Sequence, residues 1–181
     1  MTISEISRQR QSCRNFDSER LTEKEKIDAC LNVARLTPSA CNSQPWHFTV
    51  CIKQTKDTED SVFNRVRNVI AHEINTFAKH ATAFIIISEA AYNATARIGS
   101  VIKNQDYRSC DIGAVCTYFT LEAHEQGLSS CILGWFNEKK LKKICGISSK
   151  IKLIIALGYA QNDDKLRTKK RKTIEDIATW L

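Results

Sequence analysis

Arg10, Ser12 and Arg14 fall at alternate positions of "RQRQSCRNF", with Gln11 between the first two. Two guanidiniums and a hydroxyl suit a phosphate, which arginine grips through paired N–H donors. A solvated basic face uses the same residue types, so the stretch is not decisive alone. The loop "LTPSACNSQPWHF", residues 36–48, places Ser39, Asn42 and Gln44 between Pro38 and Pro45, the only two prolines of the chain. Either a capped turn or a ligand loop would be built this way. "GLSSCILGWF" brings Gly134, which lets a ligand approach the backbone, next to Trp135 and Phe136, which can wall a flat ring. An ordinary helix-to-strand turn is the alternative. A fourth candidate is the basic stretch "KLRTKKRK", residues 165–172.

The elements that must position these residues are read from periodicity. Thr2 and Glu5 have capping-box spacing and open a first helix, and Thr22 and Glu25 repeat the signal before an apolar stripe of Ile27, Leu31 and Ala34. Trp46, Phe48, Val50 and Ile52 alternate with polar neighbours, as in a strand. Residues 59–80 read as one helix, and "AFIIIS", residues 83–88, as a strand buried on both faces. Residues 90–105 are poorly patterned. A long helix follows from about Asp106 to Gln126, with Ile112, Val115, Cys116, Phe119 and Ala123 on its core face and Gly127 as its stop. Asn137 caps a short basic helix, "IKLIIALGYA" is the last strong strand, and "TIEDIATWL" is a short helix or an extended tail. The order suggests an α+β chain folded as a three-layer α/β/α sandwich in one domain, residues 1–181.

Composition narrows the class. The 181 residues are 43% hydrophobic, enough for a real core. No apolar run approaches the roughly 20 residues that span a bilayer, and no leader pattern opens the chain, so a cytoplasmic protein without membrane attachment is expected. None of the 8 cysteines forms a C-x-x-C pair, and the 4 histidines show no paired ligand spacing, so no metal site is expected. Cys30, Cys51, Cys116 and Cys145 read as reduced core residues. The formal charge of +7 invites a nucleic-acid partner. Its concentration in the tail, rather than in a stripe interleaved with aromatics, argues against one.

Taken together and in this order, "RQSCRNF", "PSACNSQPWHF", "DIGAVCTYFTLEAHEQGLSSCILGWF", "IIALGYA" and "KKRKTIEDI" resemble the FMN-dependent nitroreductase family. The resemblance spans nearly the whole chain. It implies a mixed or antiparallel sheet in an intertwined homodimer, with FMN at the subunit interface and NAD(P)H and a small-molecule acceptor as partners. By the same resemblance Arg10, Ser12 and Arg14, flanking Gln11, hold the flavin phosphate and ribityl chain. Pro38, Ser39, Ala40 and Asn42 reach the flavin from the other subunit, Leu133 and Gly134 face its N5, and Lys169 and Arg171 return to the phosphate. Gln11 stands where many members carry a basic residue. Asn68 matches a pyrimidine contact whose usual lysine partner is replaced by Ala71. The flavin carries the redox chemistry, so no side chain is expected to act as a catalyst itself.

Overall fold

A computed structural model describes residues 1–181, except the side chains of Glu73, Arg97, Ser100 and Val101. Its elements are α1 (Ile3–Gln9), β1 (Phe16–Asp17), α2 (Lys24–Ala34), a 3₁₀ turn (Ala40–Asn42), β2 (Trp46–Ile52), α3 (Val62–Ile70), a 3₁₀ segment (Glu73–His80) and β3 (Ala83–Glu89). Then come α4 (Ala94–Lys103), α5 (Tyr107–Glu125), β4 (Ser129–Leu133), α6 (Glu138–Cys145), β5 (Ile151–Ala160) and α7 (Ile174–Ile177).

The sheet has five strands and every strand pairing is antiparallel. β3 lies between β2 and β5. β3 and β4 both pair with residues 154–157 of β5, so they occupy its opposite edges. β1 pairs with the last two residues of β5. The continuous apolar run of β3 is explained by burial on both faces. Phe84 and Ile86 join a core with Phe63, Val66 and Ile70 of α3 and Leu141 of α6. Ala83, Ile85 and Ile87 join a second core with Ile27 and Cys30 of α2 and Ile112, Val115 and Phe119 of α5. The result is the expected three-layer sandwich. Among the described residues, no helix is long and apolar enough to cross a membrane.

Several local expectations needed correction. The proposed helix over 59–80 breaks after Ile70 and resumes as 3₁₀ structure at Glu73. The poorly patterned 90–105 region contains α4. Thr22 does not cap α2. Its hydroxyl is buried against the Thr82 hydroxyl at 2.8 Å, and Glu23 precedes the helix without a side-chain cap. The Thr2–Glu5 capping box and the Asn137 cap form as expected, and Gly127 follows α5 with φ +75. β4 was hidden in the sequence because it is five residues long and two of them are serine.

Candidate functional site

Residues 10–15 leave the end of α1 and run beside β4, where the Cys13 N–H donates to the Ser130 carbonyl at 2.9 Å. The chain beyond β5 folds back onto the same segment. Gln161 N–H donates to the Asn15 carbonyl at 2.9 Å, and Asn15 Nδ2 donates to Asp163 Oδ1 at 2.9 Å. Further along, Arg167 N–H donates to Gln11 Oε1 at 3.0 Å and Lys169 Nζ to the Arg10 carbonyl at 2.6 Å. Gln11 also donates to the Lys165 carbonyl at 3.3 Å, so its amide fastens the tail in place.

These contacts enclose a cleft of about 390 Å3 lined by Arg10, Ser12 and Arg14 from one end of the chain and Arg167, Lys169 and Arg171 from the other. Arg167 pairs with Asp164 at 3.2 Å. Among the described residues, no carboxylate lies within ion-pair distance of Arg10, Arg14, Lys169, Lys170 or Arg171. The cations therefore repel one another. Partial burial, then the charges of Arg10, Arg171 and Arg167, hold the Lys169 ammonium below its usual range. Burial, then Arg10, likewise lowers His124 at the end of α5. An entering dianion would relieve this repulsion, and a phosphate monoester carries about two negative charges.

A second cleft, of about 470 Å3, lies next to the turn after β4 and is lined by Asn68, Val69, His72, Trp135, Phe136 and Lys140, among others. Buried Asn75 donates Nδ2 to the Trp135 carbonyl at 2.6 Å and fixes the turn. A Cβ built on Gly134 would meet nothing within 4 Å, and the backbone there does not require glycine. What the glycine preserves is open space. Leu133 beside it is buried. One segment joins the two clefts: Glu73–His80 carries Asn75, and it also carries Phe77, whose ring lies 5.9 Å from the Arg14 guanidinium carbon.

The proline loop is self-satisfied and strained. Ser39 Oγ accepts from Gln44 N–H at 2.9 Å, and Asn42 Oδ1 accepts from Gln44 Nε2 at 3.1 Å. Cys41, Asn42 and Gln44 all adopt positive φ, a cost that surrounding structure must offset. The anchor is Asp111 near the start of α5, which accepts the Ala40 N–H at 3.2 Å. Burial raises the Asp111 carboxyl above its usual range, and that hydrogen bond opposes the shift. His124, beside the cation cleft, is 13 residues further along the same helix, a separation of roughly 20 Å at 1.5 Å per residue. Within one chain, then, Pro38, Ser39, Ala40 and Asn42 are not brought to Arg10 and Lys169.

Lining residues that the sequence reading did not assign are Arg167, Thr168 and Lys170 in the first cleft and His72 and Lys140 in the second. Arg167 and Lys170 lay in the basic stretch already noted, and Lys140 in the helix capped by Asn137. His72 gave no signal of its own.

Comparison with known proteins bears on the family and the fold. The chain is 26% identical over 208 residues to the oxygen-insensitive NADPH nitroreductase of Helicobacter pylori strain 26695, covering 98% of this chain and 95% of the relative. It superimposes on a nitroreductase family protein from Streptococcus pneumoniae TIGR4 with a TM-score of 0.77, 19% identity, and coverage of 99% and 100%. An FMN-dependent nitroreductase from Clostridium difficile R20291 gives a TM-score of 0.67 at 24% identity, with 97% and 94% covered. These two likenesses bear on the fold. The sequence model of the nitroreductase family matches residues 7–159, from the last turn of α1 ahead of the arginine cluster to the end of β5, and the chain belongs to that family.

Proposed function

We propose that the protein is an FMN-dependent oxidoreductase that takes hydride from NAD(P)H and passes it to a small acceptor such as a nitroaromatic or quinone. The whole of 1–181 serves as one flavin-binding unit, and two copies complete each site. The observation that carries this reading is the cation cleft: charges from both ends of the chain converge there, and among the described residues only Arg167, which pairs with Asp164, has a carboxylate within ion-pair distance.

The residues present fit FMN. Arg10, Ser12, Arg14, Lys169 and Arg171 would hold the phosphate, with Gln11 and Arg167 fixing the tail that carries two of them. The Asn68–Trp135 cleft, joined to the first through Asn75 and Phe77, would take the flat ring system. The bound flavin supplies the hydride-accepting and hydride-donating chemistry. The open space at Gly134 gives donor and acceptor one shared approach, so they bind in turn. The distance between the proline loop and the cation cleft along α5 supports completion in trans, with Pro38, Ser39, Ala40 and Asn42 reaching the flavin of the partner copy.

The names of relatives are consistent with this reading: one is called an NADPH nitroreductase and one solved neighbour an FMN-dependent nitroreductase. Mass spectrometry of cofactor released from the purified protein, followed by NADH and NADPH oxidation with a panel of acceptors, tests it. FMN release and acceptor-dependent oxidation are expected. FAD, or no flavin after reconstitution, would overturn it.

A further inference from the structure

The end of β3, the start of α5 and the start of β5 meet at a cleft of about 330 Å3 that the flavin reading does not use. Glu89, Tyr92, Asp106, Arg108, Lys150 and Lys152 line it, among others. It is distinct from the cation cleft. Arg108 lies near the start of α5 and His124, beside the cation cleft, at its end, a separation of roughly 24 Å along the helix at 1.5 Å per residue.

The charges in this cleft are unevenly matched. Glu89 Oε2 accepts from Arg108 Nη1 at 2.6 Å, and Glu89 Oε1 lies 3.8 Å from Lys152 Nζ. Lys152 Nζ also donates to Ser109 Oγ at 2.8 Å. Asp106 is taken up in capping α5, accepting the Ser109 N–H at 3.0 Å. Among the described residues, no carboxylate lies within ion-pair distance of Lys150, which is exposed at the rim. Three cations therefore stand against two carboxylates.

Arg108 is held in place but only partly used. Glu89 grips it through Nη1, and the Tyr92 ring centroid lies 4.8 Å from its guanidinium carbon. Among the described residues Nη1 is its one hydrogen-bonded nitrogen, and Nε is buried with no partner. The Tyr92 hydroxyl is likewise buried with no partner. Buried polar atoms are seldom left in this state, so each calls for a group that completes it. The Nε–Nη2 edge of a guanidinium is a fork that takes two oxygens of one carboxylate or phosphate.

We propose that this cleft binds an oxyanion, the carboxylate or phosphate of a small solute, on the Nε–Nη2 edge of Arg108, with Lys150 and the Tyr92 hydroxyl as further donors. Nε and the Tyr92 hydroxyl are shut off from solvent as the side chains stand. Seating the anion therefore moves the Tyr92 side chain, which no hydrogen bond holds. A cation is opposed by Arg108, Lys150 and Lys152, and a solute without acceptor oxygens leaves the orphaned donors unpaired. The assignment stands on these residues alone and does not rest on flavin binding.

Heteronuclear NMR of the purified protein tests it, because the Arg108 Nε–H gives its own side-chain signal, identified by its loss in Arg108→Lys. Titrations with sodium phosphate and with sodium malonate, at an ionic strength held constant with sodium chloride, separate the two sources of the oxyanion. A saturating shift of the Arg108 signal in at least one titration is expected, and the anion that saturates at lower concentration names the source. Followed through the Tyr92 ring signals, Arg108→Lys should weaken that binding about tenfold or more, and Lys150→Gln should weaken it a few-fold. The absence of a saturating shift in both titrations, the same shift with chloride alone, or shifts confined to the Arg10 and Arg14 signals would overturn the proposal. Unchanged affinity in both variants would overturn it equally. Lys150 lies at the exposed rim, so its variant and the wild-type titrations decide the matter even if Arg108→Lys fails to fold.

Discussion

Lys169 Nζ donates a 2.6 Å hydrogen bond to the carbonyl oxygen of Arg10, joining residues 159 positions apart. This contact closes the cation cleft and orders a lysine that its neighbours repel. The tail is thus part of the site wall, and removing residues beyond 164 should abolish flavin retention while leaving the sheet, which ends at Ala160, intact. Far-UV circular dichroism and flavin absorbance of the truncated protein check both halves of this expectation.

Arg10→Ala and Arg14→Ala should each weaken FMN binding about tenfold or more without unfolding the protein. Loss of a charge-assisted hydrogen bond costs roughly 1.5–3 kcal/mol, and each 1.4 kcal/mol is a factor of about ten. Fluorescence titration of the apo-protein measures it. Wild-type affinity in both variants would remove the phosphate assignment.

The proposed completion in trans makes a mixing prediction. An Arg10→Ala/Arg14→Ala chain and a chain with residues 38–42 replaced by glycine and serine should each bind flavin poorly alone. A mixed dimer places one chain's intact cleft against the other's intact loop. Co-expression should therefore restore flavin to part of the population, measured as flavin per heterodimer after tandem affinity purification. No recovery would mean that both parts act within one chain.

Gly134→Val should fold normally, because its side chain enters open space. The proposed function puts the approach of donor and acceptor in that space, which predicts that both half-reactions slow. In the wild type, double-reciprocal plots at several acceptor concentrations should be parallel. Intersecting plots with unaltered half-reactions in Gly134→Val would assign donor and acceptor to separate sites.

Asp111 gives a pH prediction. Its carboxyl is raised from the ordinary 3.8 by burial, so the folded protein holds this proton to higher pH than the unfolded chain does. The stability it contributes is full below 3.8 and is lost as pH rises through the folded value. Asp111→Asn keeps an oxygen acceptor for the Ala40 N–H but cannot ionise. The variant should gain stability relative to wild type as pH rises from the acid range, then hold a constant difference near neutrality. Thermal melts across that range read the difference directly.

Much of this was legible in the sequence for physical reasons. β3 is buried on both faces, so its residues read as a continuous apolar run. α5 buries Ile112, Val115, Phe119 and Ala123 at helical spacing. The cation cluster was legible as residue types at both chain ends. Their convergence was not, because it depends on backbone hydrogen bonds such as Arg167 to Gln11 that carry no periodic signal. β4 was lost to its serines and to the exposure of Ile132 on its outer side. The false cap at Thr22 shows the opposite failure: its spacing was right, but a buried hydroxyl on Thr82 competed for the side chain and won.

The central claim is that the cation cleft holds the phosphate of FMN, and titration of apo-protein with FMN and with riboflavin, which lacks only that phosphate, tests it most directly. Two or more charge-assisted contacts at roughly 1.5–3 kcal/mol each predict that FMN binds at least about a hundredfold more tightly, and that this preference shrinks in Arg10→Ala. Equal affinity for the two flavins, or binding of neither, would contradict the account.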